Sequence, residues 1–151
     1  MMKIESPLMK ASASFAHKGH QVWAEIAPEF KSADFKNPYR MDAAFLRWLV
    51  KVRREAGVPM WITSDSRDPE ADIGAEKSAH DKVPCRAIDG QVKDLPNLLG
   101  SEQLARIVIA AVKLGCARVG IYKSTKGLGD IYHLDCETHP DNPSPRLWTK
   151  W

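Results

Sequence analysis

Apolar positions recur at helical spacing in the segment MDAAFLRWLVKVRREAG. Phe45, Trp48, Leu49, Val52 and Ala56 fall on one face, with Arg47, Lys51 and Arg54 opposite. That period predicts an amphipathic helix with its apolar stripe on a core. Asp42 falls in its first turn, and Gly57 followed by Pro59 closes it. A second helix is expected to start at a Ser101 cap, with Leu104, Ile107, Val108, Ala111 and Leu114 as its face and Gly115 as its end. Short apolar runs predict strands at 60–64, 86–92, 117–122 and 131–135, the last two joined by the turn-rich KSTKGLG. A short helix is expected within 17–26, before Pro28. Helices and strands mix without a regular βαβ alternation, which predicts an α+β fold. We expect a single domain over 1–136, and an extended tail over 137–151, where three prolines fall.

Composition narrows the class of protein without selecting a function. The chain has 151 residues, 44% hydrophobic and 27% charged, as in an ordinary globular domain. Its net charge of +3 is spread along the sequence and selects no anionic partner. Three cysteines cannot all pair within one chain, so a disulfide framework is not expected. No stretch is apolar enough for a signal peptide or a membrane span, and synthesis in the cytoplasm is expected. There is no Gly-rich phosphate loop, no serine-hydrolase elbow and no nucleic-acid motif. Neither a nucleic acid nor a membrane is expected as partner, and the chain is expected to be a monomer.

The candidate chemistry lies in three segments, Ser78-Ala-His80, Ala87-Ile-Asp89 and Asp130-Ile-Tyr-His133. His80, Asp89 and His133 supply two imidazoles and a carboxylate, a donor set that suits a catalytic zinc with one open position. In a strand, Ala87 and Asp89 share one face, and His133 and Asp135 likewise share one. Two histidines and an aspartate in a chain of this length can equally be unrelated. Asp130 and His133 are three positions apart, so they converge only if Asp130 lies in the turn before the strand.

These segments, preceded by ITSDSRDPE and accompanied by RVGIY and DIYHLD, resemble the M15-type zinc peptidases of peptidoglycan. That family includes D-alanyl-D-alanine carboxypeptidases, dipeptidases and phage L-alanyl-D-glutamate endopeptidases. Its SxHxxGxAxD pattern has counterparts in Ser78, His80, Ala87 and Asp89, and the resemblance runs over about residues 35–136. The interval from His80 to Asp89 is longer than the family's, and SDSR stands where the family has SGYR.

The resemblance implies a small antiparallel sheet carrying a zinc site, with helices packed on it, as in the hedgehog/DD-peptidase fold. It implies zinc held by His80, Asp89 and His133, with Asp130 as general base. Arg67 would act in catalysis and substrate binding by holding a carboxylate or a developing oxyanion, and Ser78 would position substrate. The substrate implied is the peptidoglycan stem peptide, and the site of action the cell wall or periplasm. The Asp base and the compact domain lean towards a phage or prophage endolysin-like enzyme. A D-Ala-D-Ala carboxypeptidase or dipeptidase is the nearest alternative. A non-catalytic phage structural or wall-binding module of the same fold is the alternative from another class.

Overall fold

A computed structural model of the chain describes residues 14–66, 79–116, 118–123, 130–137 and 146–150. The helices are α1 (Val22–Glu25), α2 (Ala43–Ala56) and α3 (Gly100–Lys113). The strands are β1 (Trp61–Ser64), β2 (Ala87–Gln91), β3 (Arg118–Lys123), β4 (Asp130–Asp135) and β5 (Arg146–Lys150). The fold is α+β, with one five-stranded sheet in the order β1-β2-β4-β3-β5.

The sheet is mixed, which corrects the expectation of a wholly antiparallel one. β1, β2, β4 and β3 pair antiparallel, whereas β5 runs parallel to β3. Within the stretch expected as an extended tail after residue 136, residues 146–150 therefore return to the sheet edge. A parallel partner must arrive by a crossover from elsewhere in the chain, so local sequence carries little sign of it.

The predicted face of α2 is the observed one: Phe45, Trp48, Leu49, Val52 and Ala56 are all buried. Asp42 proves to be its N-cap rather than a first-turn residue, its carboxylate accepting from the backbone N–H of Ala44 and Phe45. Gly57 closes the helix at φ 67°, a left-handed conformation that glycine adopts without steric cost. In α3, Ile107 and Ala111 are buried as predicted, with Leu104, Val108 and Leu114 packed partly against the core. This helix begins at Gly100, one residue before the expected Ser101 cap, and the Gly100 N–H donates to the Asp94 carboxylate at 2.7 Å.

Both helices contribute to one apolar cluster with the back face of the sheet, where Ile88, Leu134 and Val119 form a cross-strand row. Strand alternation then directs Asp89, His133 and Asp135 to the other face. The buried Asp42 also accepts from Arg86 Nε at 2.7 Å. Its N–H donates to the Cys85 carbonyl at 2.9 Å, which ties the start of α2 to the entry of β2.

Gly90 lies opposite Tyr132 on the back face, and the Tyr132 ring occupies the space that a Cβ on Gly90 would need. Gly90→Ala is expected to cost about 1–3 kcal/mol by overpacking. At this chain length that lowers the melting temperature by roughly 2–12 °C, readable by calorimetry. An unchanged melting temperature would show that the buried ring can move aside.

Candidate metal centre

Three elements bring the candidate ligands together. His80 sits in a 3-10 turn, Ala79–Asp81, whereas Asp89 and His133 are directly paired across β2 and β4. The contacts that place them are close: His133 Nδ1 lies 2.8 Å from Asp89 Oδ1, and His80 Nε2 lies 3.2 Å from His133 Nδ1. His80 Nε2 is 3.4 Å from the same Asp89 oxygen. Ligands about 2.0–2.1 Å from a tetrahedral divalent ion stand roughly 3.3 Å apart. The donor set therefore has both the chemistry and the spacing to hold a metal ion.

The second nitrogen of each imidazole is anchored. His80 Nδ1 donates to the Asp65 backbone carbonyl at 2.7 Å, which leaves Nε2 to point at the ligand group. His133 Nε2 donates to Asp135 Oδ2 at 2.6 Å, leaving Nδ1 for the same group. Such outer partners fix the tautomer and ring orientation of metal-binding histidines. Asp65 is itself held, its carboxylate accepting from the N–H of Lys36 at 2.7 Å and of Asn37 at 2.9 Å. Asp135 is fully buried and also accepts from Arg118 Nε at 2.7 Å.

The electrostatics follow from this geometry. Burial opposes a charge on His133, but hydrogen bonds to Asp135 and Asp89 prevail and push its pKa up to about 9. Burial likewise opposes a charge on Asp89, yet its hydrogen bonds with His133 and His80 prevail and hold it well below the usual carboxylate range. His133 Nδ1 thus faces the Asp89 carboxylate and His80 Nε2, while Asp135 meets Nε2, an environment built for a proton or a cation. Asp89 keeps 15% of its side chain accessible against 3% for His80 and 7% for His133. Of the three candidate ligands, Asp89 is thus the most open to solvent among the described residues.

Cys85 stands apart from this group. Burial pushes its thiol up to about 12, so it is not a thiolate at neutral pH, and Sγ faces the Ala87 carbonyl at 3.5 Å. Arg67 and Ser78 lie outside the described residues. The backbone of Asp130 opens β4 opposite Lys123 instead of lying in a turn before the strand, and its side chain lies outside the described ones.

Sequence reasoning put His80, Asp89 and His133 in one site, and the structure brings these three together. It passed over two residues that hold the histidines. Asp135 was legible in principle, since His-Leu-Asp places it on the His133 face. Asp65 was not, because it acts on His80 through a backbone carbonyl that any residue carries. Compared with known proteins, the chain matches no protein-family model, no curated sequence and no solved structure.

Proposed function

We propose that the chain is a zinc-dependent peptidase of the M15 type, with a hedgehog/DD-peptidase-like fold, that hydrolyses a bond in the peptidoglycan stem peptide. The observation that carries this reading is the convergence of His80 Nε2, His133 Nδ1 and Asp89 Oδ1, each imidazole being anchored through its other nitrogen. Two imidazoles and one carboxylate favour zinc over the oxygen-loving calcium and magnesium, and three protein ligands leave a tetrahedral position open. Zinc bound there supplies Lewis acidity and lowers the pKa of a water molecule towards neutrality.

The chain's own groups would do the rest. His80, Asp89 and His133 fix the ligand geometry, and Asp135 and the Asp65 carbonyl keep both rings in register. On the resemblance, Asp130 takes a proton from the attacking water and returns it to the leaving amine. Arg67 holds the substrate carboxylate or the developing oxyanion with its planar fork, and Ser78 positions the peptide. An endolysin-like endopeptidase of phage or prophage origin is the form favoured, with a D-Ala-D-Ala carboxypeptidase or dipeptidase as the alternative bond specificity.

One observation favours a second reading, a wall-binding module without turnover: Asp130 begins a strand rather than lying in the preceding turn. Mass spectrometry of purified muropeptides separates the two. An enzyme releases fragments whose combined mass exceeds the parent by one water, stops with chelator and resumes with added zinc. Wall binding that survives chelation, with no fragment released, would overturn the peptidase reading.

A further inference from the structure

Register across the sheet places Asp89, His133, Gly120 and Trp148 in one row, on β2, β4, β3 and β5. Gly120 stands between the histidine and the tryptophan. A Cβ there would lie 2.6 Å from the indole, so only glycine lets Trp148 lean over β3 towards the metal centre. The indole reaches the His133 ring, with centroids 5.1 Å apart and the planes tilted by 50°. Its Nε1 donates to the Tyr122 hydroxyl, which fixes the ring's rotation. The Arg118 guanidinium lies 5.6 Å from the indole centroid while its Nε holds Asp135. Asp135 in turn holds His133. Trp148, Arg118, Asp135 and His133 therefore close a ring of four side chains, three of them from the site face of β3 and β4.

We propose that Trp148 is a positioning residue of the metal centre: its indole, carried in by the C-terminal strand and admitted by Gly120, holds the His133 imidazole with Nδ1 aimed at the ligand group. The proposal rests on the reading of His80, Asp89 and His133 as a metal site, and it adds β5 to that site. Trp148 is half-buried between exposed Leu147 and exposed Thr149. The strand thus spends its one inward-facing described side chain on the histidine. A ring packed on one flank of an imidazole restricts its χ2 freedom, which an aliphatic side chain of similar bulk does less well.

The test compares metal binding in full-length wild-type, Trp148→Leu, Trp148→Phe, Gly120→Ala and His133→Ala proteins. Zinc affinity is measured by competition with a chromophoric chelator. Cobalt(II) is the spectroscopic probe, since the intensity of its visible bands reports tetrahedral coordination. Melting temperatures of the metal-free proteins are taken alongside. Trp148→Leu and Gly120→Ala are expected to weaken zinc binding on the order of 10–100-fold, as loss of an outer-sphere partner does, and to weaken the cobalt bands. Trp148→Phe, which keeps a ring, is expected to recover most of both. A packing role alone would lower the melting temperature and leave the affinity and the cobalt bands of the folded variants at wild-type values, and that result overturns the proposal. Gly120→Ala leaves Trp148 itself intact, so it decides the matter should Trp148→Leu not fold. Zinc binding by wild type but not by His133→Ala upholds the metal centre independently. Absence of binding by wild type removes that centre, and this proposal with it.

Discussion

Replacing His133 with alanine is expected to abolish stoichiometric zinc and, with it, muropeptide cleavage. The substitution deletes the nitrogen that stands 2.8 Å from Asp89 and 3.2 Å from His80, leaving two ligands where a stable site needs three or more. Metal analysis of the purified protein should fall from one equivalent to near none. A His17→Ala control, at an exposed histidine outside the ligand group, should keep the full complement. The wild-type affinity also has a predictable pH dependence. Proton and metal compete for His133 Nδ1, and the group's pKa is raised to about 9, so zinc binding should strengthen with rising pH and level off above that value. The stability of the metal-free protein should run the other way. The unfolded histidine titrates near about 6.5. The stabilisation from protonated His133 is therefore fully present below that pH and is lost as the pH rises through about 9. Full zinc content in His133→Ala, or zinc binding that weakens between neutral pH and 9, would remove His133 from the ligand set.

The helices and four of the strands were legible because their signals are local. The stripe of Phe45, Trp48, Leu49, Val52 and Ala56 repeats with the helical period and needs no knowledge of its partner to be read. The alternation Ala87-Ile88-Asp89 likewise announces one buried and one functional face, and β2 turns Ile88 to the core and pairs Asp89 with His133. What escaped depends on distant chain. β5 follows a proline-rich stretch and acquires its meaning from a parallel pairing with β3 and from the notch at Gly120. A glycine at 120 reads as an ordinary weak point in a strand until the indole above it is seen. Asp65 gives no sequence signal of its part, because its carboxylate accepts from the backbone at Lys36 and Asn37 and its carbonyl orients His80. The candidate ligands His80, Asp89 and His133 were read from residue types and motif resemblance, while the groups that aim them are set by tertiary packing.

Asp135 is the residue whose loss should damage the protein most broadly, because it serves fold and site at once. It is fully buried, and its carboxylate accepts from His133 Nε2 at 2.6 Å, Arg118 Nε at 2.7 Å and the Glu137 N–H at 3.0 Å. Asp135→Ala deprives the buried Arg118 guanidinium of this carboxylate, and removing one partner of a buried ion pair costs about 3–5 kcal/mol. The corresponding fall in melting temperature is roughly 6–20 °C at this chain length. Asp135→Asn is the sharper variant, since it keeps the volume and one acceptor oxygen but not the charge. It cannot accept from both His133 and Arg118 through two oxygens, and it no longer supports positive charge on the imidazole. The His133 pKa should then drop from about 9, because the hydrogen bond that His133 donates to Asp135 is the largest influence raising it. Zinc affinity should fall on the order of 10–100-fold, the usual consequence of losing the carboxylate behind a metal-bound histidine. Calorimetry of the metal-free variants together with zinc competition reads both effects. If Asp135 only fills space beneath the sheet, Asp135→Asn should bind zinc as tightly as wild type and melt with it. That outcome would detach Asp135 from the metal centre and leave its part to the fold alone.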